Sequence, residues 1–146
     1  GPEAGAGVRG MIGRRGLWAV VTTLGLLIAP GTASACRVSV APPRIAGEFQ
    51  AIVFADVDAA RDTGATNAWV WEIEAHVTEI VTGEPAATAY GFRHNTGTNG
   101  CSPAPPTGRF VLYIASTAQG ERVVEALPLE RAMALDPRVH AACQSR

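Results

Sequence analysis

The chain has 146 residues, a formal net charge of −1 and twelve basic residues, all of them arginine. Its charges are spread without blocks and no segment repeats, which argues against a nucleic-acid partner and a repeat architecture. The part of the chain after residue 35 is long enough for one domain with a real core, but not for two.

The first part of the chain has the three-part pattern of a secretory signal peptide. Arg14 and Arg15 are followed by a 13-residue, largely apolar run over residues 17–29, and then by the small-residue junction Ala33-Ser34-Ala35. A basic start, a short apolar core and such a junction are typical of a cleaved export signal. The run is shorter than the roughly 20 apolar residues that a membrane-spanning helix needs.

We therefore predict that residues 1–10 lie upstream of the start at Met11, that residues 11–35 are the signal peptide, and that residues 36–146 are a single domain. Nine arginines against twelve acidic residues give this domain a net charge of −3. The expected location is secreted, either periplasmic or extracellular.

Two variants of export stay open. The arginine pair faintly resembles a twin-arginine signal. Cys36, directly after the junction, is also where a lipoprotein carries its lipid, which would make the protein a lipoprotein at the cell envelope. Lipoprotein signals normally have Leu where this chain has Ala33, so ordinary cleavage is favoured, with membrane attachment only if Cys36 is lipidated.

The sequence of residues 36–146 predicts five strands and two short helices. The predicted strands cover residues 50–57, 68–81, 88–94, 109–116 and 121–127. The clearest is the second, where alternation places Trp69, Trp71, Ile73, Ala75 and Val77 on one buried face. Polar connections are expected at 58–67 and, as a long loop that holds Cys101, at 95–108.

Residues 129–135 predict one helix, and Asp136-Pro137 is a cap and first-turn pair for another that runs through Ala142. Five strands at this spacing that end in helical segments predict an all-β domain with a terminal helix. The expected architecture is a five-stranded, OB-like Greek-key barrel.

The domain resembles the netrin-like domain, whose best-known members are the tissue inhibitors of metalloproteinases. The family pattern starts with a cysteine at the mature N-terminus, here Cys36, followed by a strand such as residues 51–57. A second cysteine precedes a strand of the Phe-Leu-Ile type, matched by Cys101 and residues 109–114. The likeness spans nearly all of Cys36 to Cys143 and rests on two cysteines and a strand rhythm.

The resemblance implies a disulfide between Cys36 and Cys101 and a binding edge that joins residues 36–40 to the Cys101 loop. The residues expected in that edge are Cys36, Arg37, Val38, Asn99 and Ser102. In the chain-entropy model, closing the 65 positions from Cys36 to Cys101 stabilises the fold by roughly 4 kcal/mol. The third cysteine, Cys143, would then be unpaired or would pair with another chain.

The resemblance also implies a way to bind a zinc protease. In the family's inhibitors the amino nitrogen and carbonyl oxygen of the first cysteine chelate the protease zinc, so Cys36 is a candidate ligand for a partner's metal. An α-amine with a pKa near 7.7–8.0 deprotonates readily enough for this, and zinc accepts N and O donors. However, Cys36-Arg37-Val38 lacks the family's Cys-x-Cys, and Arg37 is long and charged where the family has a small residue.

The remaining chemistry-bearing residues favour structural roles. His76, His94 and His140 lack zinc-site spacing, apart from the weak pair of His140 with Cys143. Glu72 and Glu74 share a strand face that fits a solvated surface better than a carboxylate pair. The two tryptophans of the second strand fit the core better than an exposed aromatic platform.

The chain carries no nucleophile elbow, metalloprotease helix or phosphate loop. We therefore predict no enzymatic activity, no cofactor and no intrinsic metal site. The leading hypothesis is an exported, non-enzymatic protein-binding module. The alternatives are a zinc-metalloprotease inhibitor that acts through the Cys36 amine and carbonyl, a lipid-anchored cell-envelope protein, and, most remotely, a hydrolase built on Glu72 and Glu74.

Overall fold

The computed structural model describes residues 41–98 and 104–145, all of which lie in one unit, Val38–Arg146. The described part forms a single antiparallel sheet of five strands with two short helices at its C-terminal end. The elements are β1 (Ala51–Asp62), β2 (Ala68–Gly83), β3 (Ala89–Thr98), β4 (Arg109–Thr117), β5 (Gly120–Pro128), α1 (Leu129–Leu135) and α2 (Pro137–Gln144). The prediction of an all-β domain with a terminal helix is confirmed.

Two strands are longer than their local sequence indicates. β1 continues to Asp62, through residues predicted to be a polar connection, because Ala60 pairs with Ile73 of β2 and Asp62 pairs with Trp71. β3 continues to Thr98, into the predicted 95–108 loop, because Gly97 pairs with Trp69 of β2 and Thr98 pairs with Ala68. Polar residues on a paired strand carry no apolar alternation, so the sequence pattern ends before the strand does.

The sheet order is β3-β2-β1-β4-β5, and every neighbouring pair is antiparallel. β3 and β5, the two outer strands, therefore run in the same direction. The Tyr90 hydroxyl on β3 donates a hydrogen bond to Glu121 Oε1 on β5 at 2.6 Å, and Phe92 and Val123 pack against the same core cluster. The sheet thus curls until its two edges approach each other, although no backbone ladder joins β3 to β5 among the described residues.

The concave side of the sheet holds the larger core. Its buried residues are Ala51, Val53, Ala55, Trp71, Ile73, Ala75, Tyr90, Phe110, Leu112 and Ile114. Trp69 and Trp71 stack at 6.3 Å with an interplanar angle of 18°, and the Trp71 indole N–H donates to Thr96 Oγ1 at 2.9 Å. The predicted buried face of the second strand is confirmed, and its two tryptophans belong to the core.

The convex side of β1 and β4 is covered by the helices. Residues 51–55 and 110–114 are buried on both faces, because Ala132 of α1 and Val139 of α2 pack against the side chains that point outward. Two-sided burial explains why these strands are continuous apolar runs instead of alternating ones. None of the described helices is long and apolar enough to cross a membrane.

A buried polar network ties the N-terminal lead-in to the helices. Asp136 is 2% exposed; it accepts hydrogen bonds from the Tyr113 hydroxyl at 2.7 Å and from the Arg138 backbone N–H at 3.0 Å. The Arg138 guanidinium contacts Asp136 as well and donates to the carbonyl oxygens of Ile45 and Gly47. The lead-in is therefore fixed against the start of α2 before the chain enters β1.

Candidate functional site

The predicted binding edge falls on residues that lie outside the described ranges. Those residues are Cys36, Arg37, Val38, Asn99, Cys101 and Ser102. What the structure does describe is the chain on either side of them: the lead-in from residue 41 onward, and β3 up to residue 98.

The two flanking segments meet at one place on the surface. Ala41 and Pro43 of the lead-in line a depression of about 200 Å³ together with His94 and Asn95 of β3. Ala41 is five positions after Cys36, and Asn95 is six positions before Cys101. Each predicted half of the binding edge thus begins within a few residues of the same depression.

His94 lies in this depression in a half-buried position. Its ring meets the Phe110 ring edge-on at a centroid distance of 5.0 Å. Burial, and then the nearby Arg131 guanidinium, lower the pKa of His94 below its ordinary value. The imidazole is therefore neutral at pH 7, and offers one hydrogen-bond donor and one acceptor to whatever contacts it.

A second, larger groove lies between the facing edges of β3 and β5. It has a volume of about 460 Å³ and is lined by the consecutive residues 91–93 and 122–126. Side chains of consecutive strand residues alternate between the two faces of a sheet. A groove on one face would therefore be lined by every second residue, so a groove lined by consecutive residues lies along the edges of the strands. It shares Arg93, Glu125 and Ala126 with the smaller depression, so the two form one continuous groove.

The groove is rich in arginine. Its lining includes three arginines, Arg93, Arg122 and Arg131, and one acidic residue, Glu125. Glu125 accepts a hydrogen bond from the Arg44 backbone N–H at 2.9 Å. The sequence gives no sign of this groove, because the arginines come from three separate elements and only the strand order brings them together.

The two glutamates considered as a carboxylate pair lie on one face of β2. Glu72 pairs with Arg61 and, at 3.3 Å, with Arg93, and these contacts, the Arg61 hydrogen bond first, lower its pKa. Glu74 is exposed on the same face beside Gly91. Two arginines on one carboxylate make this face an ion-pair surface, in keeping with the interpretation of Glu72 and Glu74 as solvated surface residues.

The histidines and the third cysteine are scattered over the domain. His76 Nδ1 lies 2.8 Å from Asp58 Oδ1 on an exposed surface, and His140 is exposed on α2. Cys143 is a free, half-buried thiol that packs against the core residues between the helices and the convex side of β1 and β4. Over residues 41–98 and 104–145, no group of three or more His, Cys, Asp or Glu side chains is arranged to hold a metal ion.

Comparison with known proteins assigns no family to this chain. Neither a family model, nor a curated protein, nor a solved structure matches it.

Proposed function

We propose that the chain is an exported, non-enzymatic protein-binding module of the netrin-like type, folded as a partly open OB-like barrel. Its contact edge combines residues 36–40 with the loop around Cys101. The observation that carries the proposal is the meeting of the lead-in, at Ala41 and Pro43, with the second half of β3, at His94 and Asn95.

The strand order supports the barrel part of the proposal. An OB barrel is a five-stranded, partly open Greek-key sheet. A curled sheet of order β3-β2-β1-β4-β5, with parallel outer strands that touch through Tyr90 and Glu121, is the arrangement from which such a barrel forms. The open side of the barrel would lie between the β3 and β5 edges.

The reach of the two flanking segments supports the proposed disulfide between Cys36 and Cys101. An extended chain spans about 3.3 Å per residue, so Cys36 reaches roughly 16 Å from Ala41, and Cys101 reaches roughly 10 Å from Thr98, the last described residue of β3. A disulfide needs Cα atoms about 5.5 Å apart. These lengths support a Cys36–Cys101 bond that leaves the described strands unchanged, and the bond would hold the contact edge together.

Peptide mapping under non-reducing conditions tests the covalent part. Digestion of the exported protein should recover Cys36 and Cys101 in one disulfide-linked pair of peptides, with Cys143 alkylated as a free thiol. Recovery of Cys36 linked to Cys143, or of all three as free thiols, contradicts the proposed edge. Intact mass of the same sample separates a free Cys36 amine from a lipid adduct, the signature of the envelope-anchored alternative.

Partner capture tests the binding part. The exported protein, its Arg37→Glu variant and its Arg61→Glu variant carry matched charge changes, but only Arg37 lies in the proposed edge. A partner quantified by mass spectrometry should be retained by Arg61→Glu and depleted at least tenfold by Arg37→Glu. Equal capture by both variants places the contact elsewhere.

The inhibitor alternative has its own test. The protein is titrated against a panel of zinc metalloproteases, with an N-terminally acetylated sample as control. Chelation through the Cys36 amine requires that acetylation abolish inhibition, because an amide nitrogen is not a zinc ligand. Inhibition that survives acetylation excludes chelation through the Cys36 amine, and no inhibition by either sample excludes the inhibitor alternative.

A further inference from the structure

The open groove between β3 and β5 has features of a second binding surface, which adjoins the proposed edge at the smaller depression. Among the described residues, no backbone ladder covers the outer side of β3 or of β5. An uncovered strand edge presents a row of N–H and C=O groups that pairs readily with another extended chain. Recognition of a peptide by strand addition uses these main-chain groups for affinity.

The size of the groove fits a short extended segment. The part between the strands has a volume of about 460 Å³, and the connected depression adds about 200 Å³. On β5 the lining extends over residues 122–127, which at about 3.3 Å per residue is roughly 16 to 20 Å of strand. A segment of five or six residues would fill this length. The Tyr90–Glu121 hydrogen bond closes the other end.

The positive charge of the groove favours a negatively charged partner. Arg122 and Arg131 are exposed, and neither forms an ion pair with a described acidic side chain. They lie on a domain whose residues 36–146 carry a net charge of −3, so this groove is a local reversal of the overall sign. Positive groups that are not neutralised internally favour a negatively charged partner.

We propose that the groove between β3 and β5 binds an extended acidic peptide segment of a partner protein by β-strand addition. The peptide backbone pairs with an open strand edge, and its acidic side chains contact Arg122 and Arg131. Apolar side chains on its other face lie over Phe92 and Val123, which line the floor of the groove. This proposal does not depend on the Cys36 edge or on its disulfide.

The test uses a fluorescein-labelled octapeptide of alternating Val and Glu, titrated with the purified full chain in fluorescence polarisation. Binding should be saturable and at least tenfold tighter than that of the matching Val and Lys peptide. Methylation of alternate peptide amides should abolish it, because those amides supply the backbone donors. Failure of the Val and Glu peptide to bind, or equal binding by the methylated peptide, overturns the proposal.

Two variants with matched charge changes locate the site. Arg122→Gln combined with Arg131→Gln should weaken binding at least tenfold, whereas Arg61→Glu, an equal charge change on an exposed β1 side chain that does not line the groove, should leave it unchanged. Circular dichroism confirms that each variant is folded. An equal loss in both would indicate only a general charge effect, and would overturn the assignment.

Two further arms separate this proposal from other occupants and from the proposed function. Heparin, a sulfated polysaccharide, has no backbone amides that match a strand; if it binds the groove while the peptide does not, the occupant is an anionic sugar and the proposal is wrong. Reduction of the disulfide should leave peptide binding unchanged, since the groove residues are held by the sheet. A loss on reduction would place the peptide on the Cys36 edge instead.

Discussion

At the residue scale, Asp136 is the most consequential polar group in the described structure. Burial by itself raises the pKa of this carboxyl, but hydrogen bonds from Arg138 and Tyr113 outweigh burial and hold the pKa below its ordinary value. The same carboxylate caps α2 by accepting from the Arg138 backbone N–H. One side chain therefore joins the strand β4, the helix α2 and, through Arg138, the lead-in to β1.

Replacing Asp136 with Ala should lower the free energy of unfolding by about 3 kcal/mol. The change leaves the buried Tyr113 hydroxyl without its acceptor, which costs about 1–3 kcal/mol, and removes an N-cap worth roughly 1 kcal/mol. Urea unfolding measures the difference. The control is Asp58→Ala, whose partner His76 is exposed; this variant should change stability by less than about 1 kcal/mol. A similar loss in both variants contradicts the role given to the network.

The stability contributed by Asp136 should depend on pH in a defined direction. In the unfolded chain an Asp titrates near pH 3.9, and in the folded chain its pKa is lower. The contribution is therefore complete above pH 5 and is lost as the pH falls through the folded-state pKa. The difference in unfolding free energy between the wild type and Asp136→Asn should shrink between pH 6 and pH 2. A constant difference would mean that the carboxylate charge is irrelevant.

At the element scale, the close approach of β2 to the start of β1 depends on a glycine. Gly83 has a φ of +75°, and a Cβ at this position would overlap the carbonyl oxygen of Gln50 and lie 2.9 Å from Ala51 Cα. Those backbone atoms cannot move aside easily, because Ala51 is fully buried and the Gln50 carbonyl accepts a hydrogen bond from the Glu84 backbone N–H. Gly64 has the same φ of +75°, but a Cβ there would meet nothing within 4 Å.

The two glycines form a matched pair for mutation. Gly64→Ala should lose about 1–2 kcal/mol, the cost of a left-handed backbone for a residue with a Cβ. Gly83→Ala should lose at least about 2 kcal/mol more, because it adds overlap with fixed backbone. Thermal or urea unfolding of both variants gives the comparison. If the two losses are equal, the contact with Gln50 is not tight in solution.

The strands and helices also differ in how well the sequence predicts them. The alternation through Trp69, Trp71 and Ile73 predicted β2 and its buried face, and the Asp136-Pro137 pair predicted where α2 begins. The ends of β1 and β3 were missed, since Asp62 and the polar end of β3 are in strands only because β2 pairs with them. The β3–β5 groove could not be predicted, because it depends on which strands become the edges of the sheet.

At the scale of the whole molecule, the central strands of the sheet are buried on both faces, and the two outer strands each have one unpaired edge. β1 and β4 are covered on one side by the concave core and on the other by the helices, whereas β3 and β5 each have one paired edge. A buried tyrosine links the margins: burial first, and then its hydrogen bond to Glu121, raise the pKa of Tyr90. Stability should therefore decrease from the centre of the sheet to its edges.

Hydrogen exchange measures this gradient directly. The amides of residues 51–55 and 110–114 should exchange only through global unfolding, because both of their faces are buried. The amides of β3 and β5 that point away from their paired neighbours should exchange orders of magnitude faster, since the described sheet gives them no backbone partner. The inward-pointing amides of the same two strands are the internal control. Equal protection on both sides of β3 would mean that the barrel is closed by a β3–β5 ladder in solution, and a closed barrel has no room for an added strand.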